Sequence, residues 1–500
     1  MRKSDFYVVT LLAAVPCPAE ILRVPQQYTT IQAAVNDALN GDIVLVADGR
    51  YSGVGNVGVT IHGKAITVRS EGGPEACTID CRQAGNGFTI ERLEGPGCRL
   101  EGFTITNGYA RDGGAIYCND ASPTISDCVM VNNRASNNGL AGFGGGIACE
   151  DSNAAVMDCL ILNNRSDGTG GGVHCRRGSP TFLGCRIAGN SAYFRGGGIT
   201  SESDATFFSC VIEDNRSDTW GGGLGDVNGS FINCAIIRNH ADRHGGAIYT
   251  EFTPYLLNCV LYGNTASGFG GGIYTEDGGR PTIVNSILWG DFPGELVRGP
   301  EGLDPIVSFS TVQGGWPGEG NLDADPQWVD PDGGDFNLTE MSPCLAGGDN
   351  EAPLLPDEDI DGDPRIANCR VDMGVQESPF YHDCNLNHEP DACDLYDGRS
   401  RDVNKNRVPD ECDDHCSGRD SLRLKCRSRR SGNALTATLR RGLPNAPVTL
   451  QLDGDPGTNR YLSTGNSGKA RTKWTAVAFG PHEVCVTECD GVCGEATCRD

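Results

Sequence analysis

Short apolar runs, separated by glycine pairs and by turns that contain asparagine, return along this chain about every 25 residues. An aliphatic residue follows Gly-Gly-x in seven copies, at Ile116, Ile147, Val173, Ile199, Leu224, Ile248 and Ile273. A cysteine follows in six copies, at Cys128, Cys159, Cys185, Cys210, Cys234 and Cys259, and an asparagine ends each of these, at Asn133, Asn164, Asn190, Asn215, Asn239 and Asn264. Three residue types that keep one phase predict a solenoid, because each repeat must stack on the next to bury its apolar side.

The apolar runs predict strands. Thr-Ile-Ser-Asp-Cys-Val-Met-Val from Thr124 and Tyr-Leu-Leu-Asn-Cys-Val-Leu-Tyr from Tyr255 are rich in β-branched and aromatic residues and are too short for helical repeats. A unit of about 25 residues accommodates three short strands and three turns, and strands on successive units would pair in parallel at about 4.8 Å. We therefore predict an all-β fold built on a parallel β-helix.

Each recurring residue has an expected place in the stacked coils. The asparagines would form an internal ladder, in which each amide bonds the next and satisfies turn backbone. The cysteines lie between aliphatic residues and would stack in the core as small apolar side chains. The glycines would permit a tight corner with positive φ and close approach between coils.

The first coils are less regular, and a helix is expected to cover them. Residues 20–110 alternate apolar runs with glycine-rich turns but lack the three recurring marks. Within them, Ile31, Ala34, Val35, Ala38 and Leu39 have helical spacing. A short amphipathic helix there would cap the open end of the core, as the terminal repeat of a solenoid must.

Two stretches near the start carry a family resemblance. Val24-Pro-Gln-Gln-Tyr-Thr-Thr-Ile-Gln-Ala-Ala-Val and Gly41-Asp-Ile-Val-Leu-Val-Ala-Asp-Gly-Arg-Tyr resemble the opening of pectin-lyase-like proteins. The Gly-Gly-Ala-Ile and x-x-Asn marks resemble the repeats of polymorphic outer-membrane protein passengers, although that family has Phe where this chain has Met130, Ile161, Ile187, Ile212, Ile236 and Leu261. The resemblance, over residues 24 to about 290, implies a right-handed coil and by itself implies no activity.

The net charge and the cysteine content indicate which partners and which cellular compartment the sequence favours. A net charge of −26 argues against nucleic acid or an anionic membrane as partner, and no apolar run is long enough for a transmembrane segment. The first 19 residues resemble a short secretory signal, with a buried first strand as the alternative. The 24 cysteines favour an oxidising compartment, chiefly through Cys77 with Cys81 and the group Cys485, Cys489, Cys493 and Cys498, for which disulfides are favoured over a zinc site.

Two similar acidic strings, nineteen residues apart, predict calcium loops. Oxygen side chains occupy positions 1, 3, 5, 9 and 12 of each twelve-residue string, and a backbone carbonyl would serve at position 7, which is the ligand order of an EF-hand-like loop. The first set is Asp383, Asn385, Asn387, Glu389, Asp391 and Asp394; the second is Asp402, Asn404, Asn406, Val408, Asp410 and Asp413. The strings resemble thrombospondin type 3 and dockerin loops, but His388 and Arg407 replace the usual glycine, so weak calcium binding is expected. An acidic linker is the alternative.

These observations divide the chain into five parts. We assign residues 1–19 to a signal peptide, 20–322 to the β-helix, 323–379 to an acidic closing segment that covers the last coil, 380–414 to tandem calcium-binding loops, and 415–500 to a basic domain. Five alternating segments in the last part predict a small antiparallel β-sandwich. Its basic face could hold an acidic polysaccharide or the acidic linker beside it.

The sequence contains no catalytic signature of the β-helix enzymes. Asn-Thr-Asp, Gly-His-Gly and Arg-x-Pro-x-x-Arg are all absent. One row of residues is expected on the surface, three positions after each aliphatic mark: Asn119, Glu150, Arg176, Glu202, Val227, Glu251 and Glu276. Glu251, Glu276 and the neighbouring Asp277 are weak catalytic candidates, because like charges on adjacent coils raise a pKa or attract a cation. A solvated acidic face is the favoured interpretation.

Two functional hypotheses follow. The first is a non-enzymatic, secreted or cell-surface β-helix protein for adhesion, glycan binding or display, with calcium stiffening its tail and polysaccharide or cell-surface components as partners. The second is a polysaccharide lyase or glycoside hydrolase with its site on a long face of the coil. The missing catalytic signatures favour the first.

Overall fold

The computed structural model describes residues 19–381, 383, 387, 390–401 and 409, and then the segments 421–427, 433–440, 447–453, 455–463, 469–477, 480–486 and 493–498. The described residues form two compact units. The first contains the residues up to Asn337 with 347–365 and 373–376, and the second contains 338–346, 366–372 and the described residues from Glu377 onward. The signal peptide predicted for residues 1–19 lies almost wholly outside the described residues.

The first unit is a right-handed parallel β-helix, as predicted. Its sheet 1 has twelve strands: Ile21–Val24, Ile43–Val46, Thr67–Ser70, Arg99–Glu101, Thr124–Ser126, Ala155–Met157, Thr181–Leu183, Thr206–Phe208, Ser230–Ile232, Tyr255–Leu257, Thr282–Val284 and Ile306–Ser308. Sheet 2 has eleven: Gly49–Tyr51, Cys77–Asp80, Thr104–Thr106, Val129–Val131, Leu160–Leu162, Arg186–Ala188, Val211–Glu213, Ala235–Ile237, Val260–Tyr262, Ile287–Trp289 and Thr311–Val312.

Two further sheets complete the coil. Sheet 3 has seven two-residue strands: Tyr109–Ala110, Arg134–Ala135, Arg165–Ser166, Ser191–Ala192, Arg216–Ser217, His240–Ala241 and Thr265–Ala266. Sheet 4 has ten: Val59–Thr60, Phe88–Ile90, Ile116–Asn119, Ile147–Glu150, Val173–Arg176, Ile199–Glu202, Leu224–Val227, Ile248–Thr250, Ile273–Thr275 and Leu296–Arg298. The aliphatic marks pair with one another in register, as Ile147 with Val173 and Val173 with Ile199.

The asparagine ladder is confirmed. The side-chain amide of Asn164 donates to Asn190 Oδ1 at 3.1 Å, and that of Asn190 donates to Asn215 Oδ1 at 3.0 Å. Asn190 Nδ2 also donates to the carbonyl of Ile161 at 2.8 Å, while Asn190 Oδ1 accepts the backbone N–H of Asn164. Each buried amide thus satisfies backbone groups of a neighbouring coil, which ties the turns together without water.

The cysteines form two internal stacks of thiols. The six predicted positions from Cys128 to Cys259 are buried and free, and a second stack of Cys118, Cys149 and Cys175 pairs in register on sheet 4. The inference of a disulfide between Cys77 and Cys81 is wrong: both are buried thiols, and burial raises the pKa of each to about 12. Buried, protonated thiols serve as small apolar side chains here.

A helix closes the N-terminal end of the core, as predicted. Helix α1 spans Ile31–Asp37, and the Thr30 hydroxyl accepts the Ala33 N–H as its N-cap. Ile31, Ala34 and Val35 are buried against the first coils. The helix is the terminal cap that an open solenoid requires.

The acidic segment after the coils packs against their flank, and its closing of the last coil stays a prediction. Trp316, in the loop after the last strand of sheet 2, packs against the core there. Residues 347–365 and 373–376 lie along the coils, and the Thr311 hydroxyl in the last strand of sheet 2 donates to Met373 Sδ at 3.3 Å. Fully buried Arg365 donates to Asn233 Oδ1 at 2.5 Å and to the carbonyl of Val375 at 2.9 Å, and Ala352 packs against a cluster with Leu257. The segment therefore seals the outside of several coils.

The asparagine ladder ends on a pair of acids. Asn264 donates its amide and its backbone N–H to Asp291 Oδ1, and Asp291 donates its backbone N–H to Glu295 Oε1 at 3.1 Å. Asp291 Oδ2 and Glu295 Oε2 are buried and have no other described partner. Burial raises the pKa of Asp291 to about 6, and burial together with the charge of Asp291 raises the pKa of Glu295 to about 10. The two carboxyls therefore share one proton at neutral pH.

The second unit contains a short helix and two antiparallel sheets. Helix α2 spans Asp391–Tyr396, and Cys393 in it forms a disulfide with Cys369. One sheet contains Ser421–Arg427, Asn433–Arg440 and Ala470–Val477; the other contains Pro447–Leu452, Asp455–Ser463, Gly480–Val486 and Cys493–Cys498. Side chains from both sheets, among them Leu435, Leu450 and Trp474, share one buried cluster. A two-stranded sheet of Trp328–Asp330 and Asp335–Leu338 belongs to the first unit except for Leu338.

We expect Asn190→Ala to lower the free energy of unfolding by roughly 1–3 kcal/mol, because it leaves buried backbone groups without partners. Chemical denaturation followed by circular dichroism measures the change. Asn137→Ala, in an exposed turn, is the control and should be near neutral. Equal effects of the two substitutions would show that the ladder does not contribute this stability.

We expect the stability of the first unit to fall as pH rises from about 4.5 towards about 10, the unfolded and folded pKa of Glu295. A carboxyl whose folded pKa is raised stabilises the fold while it is protonated, and this contribution is lost as it ionises. Glu295→Gln keeps a donor towards Asp291 without a titrating proton, so the alkaline loss should shrink. Thermal melts across this pH range test it, with exposed Glu301→Gln as the control that should retain the parent slope.

Candidate functional site

The outer surface of sheet 4 carries a layer of side chains folded over it. In several coils, the residue before the glycine pair contacts the residue after the aliphatic mark of the next coil. Trp220 contacts Tyr249 with ring centroids 5.8 Å apart, and His244 stacks on Tyr274 at 4.6 Å. Positive φ at the first glycine, as at Gly221 with φ 66°, permits this fold-over. We call nine residues the acidic-aromatic face: Arg195, Trp220, Asp226, His244, Tyr249, Glu251, Phe269, Tyr274 and Glu276.

An inserted residue interrupts the sheet at the centre of this face. The pairing of Ile199–Glu202 with Leu224–Val227 shifts after Thr200, so that Ser201 pairs with Val227, and Asp226 bulges outward with φ 47°. The predicted surface position of Val227 is therefore wrong, because the bulge turns Val227 into the core, where it is fully buried. Bulges of this kind re-aim side chains and occur frequently beside functional sites.

Arg195 is the centre of the face. Its guanidinium lies 5.2 Å from the Trp220 ring centroid and 5.1 Å from that of Tyr249. Its Nη1 contacts Asp226, and its Nη2 lies 3.0 Å from Glu251 Oε1, which also accepts the Tyr249 hydroxyl at 3.0 Å. One cation is thus held by two aromatic rings and two carboxylates at once, which fixes the rings in place.

Burial changes the acid–base properties of this centre. Asp226 is 6% exposed, and burial raises its pKa to about 6, although the hydrogen bond from Arg195 opposes the shift. Burial also raises the pKa of Tyr249 well above its usual range. Asp226 Oδ1 is buried with no described hydrogen-bond partner. The buried charge of the Asp226 carboxylate is compensated by Arg195, so the loss of either residue should destabilise the other.

The C-terminal half of the face is more open. His244 stacks between Tyr274 and Phe269, whose ring is 59% exposed. Burial lowers the pKa of His244, although the nearby charge of Glu276 opposes the shift. Burial and the neighbouring Glu276 carboxylate raise the pKa of Tyr274 to about 12. This half offers an exposed ring and a half-buried carboxylate, each of which interacts with His244.

The predicted surface row is confirmed at its first positions. Glu150 pairs with Arg176, and Arg176 pairs with Glu202, in register, and the Glu150–Arg176 ion pair measures 3.5 Å. Glu251 forms an ion pair with Arg195 of the same chain. Glu276 and the exposed Asp277 lie one coil further on, and no described Lys, Arg or His nitrogen is within 4.0 Å of Glu276.

The described part of the chain shows only some of the predicted calcium ligands. Asn387 donates its backbone N–H to Asp383 Oδ1 at 3.1 Å and its amide to Asp394 Oδ2 at 2.7 Å, which links positions 1, 5 and 12 of the first string. Asp391 begins α2, and Asp394 is fully buried. Outside the described residues lie Asn385, Glu389, Asp402, Asn404, Asn406, Val408, Asp410 and Asp413. Among the described residues no three His, Cys, Asp or Glu side chains gather as a metal site.

A cavity of about 370 Å³ lies in the second unit beside the first string. Phe380, Tyr381 and Leu395 form apolar walls, and Arg370 and the buried Asp391 add polar groups. Of these lining residues, only Asp391 was identified from the sequence as a site residue, as a calcium ligand. Helix α2 and its disulfide to Cys369 hold one side of the cavity.

Sequence reasoning missed the acidic-aromatic face, although the period contains a signal for it. Trp220, His244 and Phe269 each stand directly before a glycine pair, in the same phase of three successive repeats. Tyr249 and Tyr274 each follow the aliphatic mark by one residue. Two aromatic columns in fixed phase, on residues that the strand pattern directs outward, could have identified this surface.

Comparisons with known proteins agree with the coil architecture. Residues 42–206 match the family described as the right handed beta helix region, and residues 258–276 match the Chlamydia polymorphic membrane protein repeat. No curated protein matches the chain. The first match and the coil geometry agree on a right-handed parallel β-helix, in which one stretch is similar to the polymorphic membrane protein repeat.

Solved structures with a similar coil include enzymes. Pectate lyase Pel9A has 15% sequence identity and a TM-score of 0.43, with 72% of this chain and 96% of that chain covered. Alginate lyase AlyGC has 13% identity and a TM-score of 0.32, with 68% of this chain and 60% of that chain covered. A mutant of AlyGC has 13% identity and a TM-score of 0.34, with 73% and 59% covered.

In the described part of the chain, no helix is both long enough and apolar enough to cross a membrane.

We expect Arg195→Met to lower the free energy of unfolding by roughly 3 kcal/mol, because it leaves the buried Asp226 carboxylate without its cation. The double variant Arg195→Met/Asp226→Asn removes both charges and should recover much of that loss. Denaturant midpoints of the parent, the two single variants and the double variant form the cycle that measures the coupling. Additive effects would contradict the coupling.

Proposed function

We propose that this protein is a non-enzymatic β-helix protein, secreted or displayed at the cell surface, that binds a glycan through the acidic-aromatic face. The observation that carries the proposal is the cluster around Arg195, which holds the half-buried Trp220 ring against the buried Tyr249 on the outer side of sheet 4. A scaffold alone does not require a buried ion pair and stacked rings on its outer surface. Aromatic rings with adjacent carboxylates suit a sugar chain, whose C–H faces pack on rings and whose hydroxyls donate to carboxylates.

The arrangement of the acids favours binding over cleavage. Glycoside hydrolysis uses two carboxyl groups that reach the scissile bond from either side. Glu251 is bonded to Arg195 and to the Tyr249 hydroxyl, and Asp226 Oδ1 lies beneath the surface. A general acid or base must reach the proton that it transfers. In the pair of catalytic candidates predicted from the sequence, Glu251 is therefore not available as a general acid or base, whereas Glu276 is.

Affinity electrophoresis against a panel of neutral, acidic and amino-bearing polysaccharides tests the proposed function. We expect retardation by at least one glycan and a several-fold loss of affinity in Phe269→Ser, which removes an exposed ring. Tyr396→Ser, also an exposed aromatic residue but in the second unit, is the matched control and should bind as the parent does. Release of oligosaccharide from any glycan would instead establish the lyase or hydrolase alternative.

The proposed function includes export of the protein from the cytoplasm. The signal-like residues 1–19, the matches to surface-protein repeats and the disulfide between Cys369 and Cys393 support a location outside the cytoplasm. The buried thiols of the coil do not oppose it, because they are sealed from oxidants in the core. The protein's own surface charge, with −26 overall, fits a partner that is neither nucleic acid nor an anionic membrane.

We also propose that the tandem acidic strings bind calcium. The hydrogen bonds that join Asp383, Asn387 and Asp394 support a loop that returns on itself at the first string. Calcium takes six to eight hard oxygens, and a site that ends in Asp and lacks the central glycine belongs with weak, extracellular modules.

We expect roughly millimolar calcium to protect the chain from proteolysis between Tyr381 and His415, because the ion neutralises carboxylates that otherwise repel one another. Limited proteolysis of the full chain, with mass spectrometry of the fragments, measures it. Asp383→Asn combined with Asp402→Asn should abolish the protection, whereas Asp397→Asn, outside the ligand positions, should retain it. Equal protection by magnesium at matched ionic strength would contradict a calcium-specific loop.

A further inference from the structure

Carboxylates outnumber cations on and around the acidic-aromatic face. Asp226, Glu251 and Glu276 belong to the face, and Glu202 and Asp277 stand exposed beside it. Arg195 is its central cation, and the exposed Arg243 places its guanidinium 5.2 Å from the Trp220 centroid. Burial lowers the pKa of His244, which favours its neutral form. The face therefore has a negative potential, which attracts cations and repels polyanions.

The face already shows how it holds a cation. The Arg195 guanidinium lies against two ring faces, with carboxylates of Asp226 and Glu251 on its two terminal nitrogens. Cation–π attraction and charge-assisted hydrogen bonds act together there. One coil further towards the C-terminus, the same classes of group recur without an ion-paired cation of the chain. The Glu276 carboxylate and the Tyr274 hydroxyl lie together beside Gly299, and Phe269 exposes its ring.

Building on the proposed glycan-binding function, we propose that the ligand is a glycan with free, protonated amino groups, in which an ammonium group pairs with Glu276 at the open half of the face. An ammonium ion matches the carboxylate and aromatic chemistry that Arg195 occupies one coil away. A uronic-acid polymer would bring carboxylates towards Glu202, Glu251 and Glu276, and like charges at short range repel. A neutral glycan would leave the carboxylate of Glu276 without a counter-ion.

The repeat geometry also suits a polymer. The rings of Trp220, His244 and Phe269 occupy one column on three consecutive coils, which are spaced by about 4.8 Å. An extended polysaccharide parallel to the coil axis advances by a similar length per sugar, so successive sugars would meet equivalent positions. Several weak contacts in series then give a usable affinity.

Isothermal titration with the full-length protein at pH 6 tests the ligand class. The probes are a glucosamine oligosaccharide with free amines, the same oligosaccharide fully N-acetylated, an oligogalacturonate and oligolysine. We expect the free-amine sugar to bind at least about tenfold more tightly than its acetylated form, with an affinity that falls as salt is raised. Glu276→Gln should lower that affinity about fivefold, near the upper end for one partly exposed ion pair.

Glu150→Gln is the matched control for charge. Glu150 stands in the same surface row but is bonded to Arg177 at 2.8 Å, outside the face, so its loss should leave binding unchanged. Equal weakening by the two substitutions would overturn the assignment of Glu276, since a general charge effect would explain both.

The outcomes separate this inference from the proposed function. Equal or tighter binding of the acetylated sugar or of oligogalacturonate would overturn the amino-sugar inference and leave glycan binding standing. Binding of oligolysine alone, with sensitivity to Glu276→Gln, would overturn both in favour of a basic peptide partner. Failure of every sugar in the titration and in the wider polysaccharide panel would overturn the proposed function itself.

Discussion

The stacking of equivalent residues on consecutive coils is the constraint on which the rest of this structure depends. Every strand of the β-helix bonds the strands above and below it, so each side chain meets its own counterpart one coil away. A polar side chain inside the coil is tolerated when its counterpart on the adjacent coil forms a hydrogen bond with it. Asparagine meets this demand because it both donates and accepts, as Asn190 does between Asn164 and Asn215. Thiols and aliphatic side chains meet it by packing.

The distinctive buried carboxyl groups of this molecule lie at positions that depart from the repeat. The inserted Asp226 turns one outward position into a charged group that holds Arg195, and through it the rings of Trp220 and Tyr249. At the end of the ladder, Asp291 replaces asparagine and needs the proton of Glu295. Both departures place a carboxyl in a poorly hydrated position and compensate it with one neighbour. The regular coils supply stiffness, and the irregular ones supply chemistry.

The period explains how much of the fold could be predicted from the sequence. The Asn190 ladder, the buried cysteines and helix α1 follow from phase and spacing, because each depends on neighbours at a fixed separation. The inward turn of Val227 could not be predicted, since a bulge changes strand phase while the overall spacing hardly changes. The contact of Arg365 with Asn233 joins residues 132 positions apart, and no repeat encodes it. The calcium strings were recognised by motif alone, and most of their ligands stay a prediction.

The cysteine stacks impose an order of events on a chain that is exported as proposed. Cysteines on adjacent coils stand about 4.8 Å apart, within the separation that a disulfide can bridge, yet the native thiols from Cys128 to Cys259 remain reduced. In an oxidising compartment, each coil must therefore close over its thiol faster than a neighbouring thiol is oxidised. Growth of the coil from a preformed end, such as the one under helix α1, satisfies this requirement one turn at a time. The cysteines that fill the core thus require the coil to fold faster than neighbouring thiols can form disulfides.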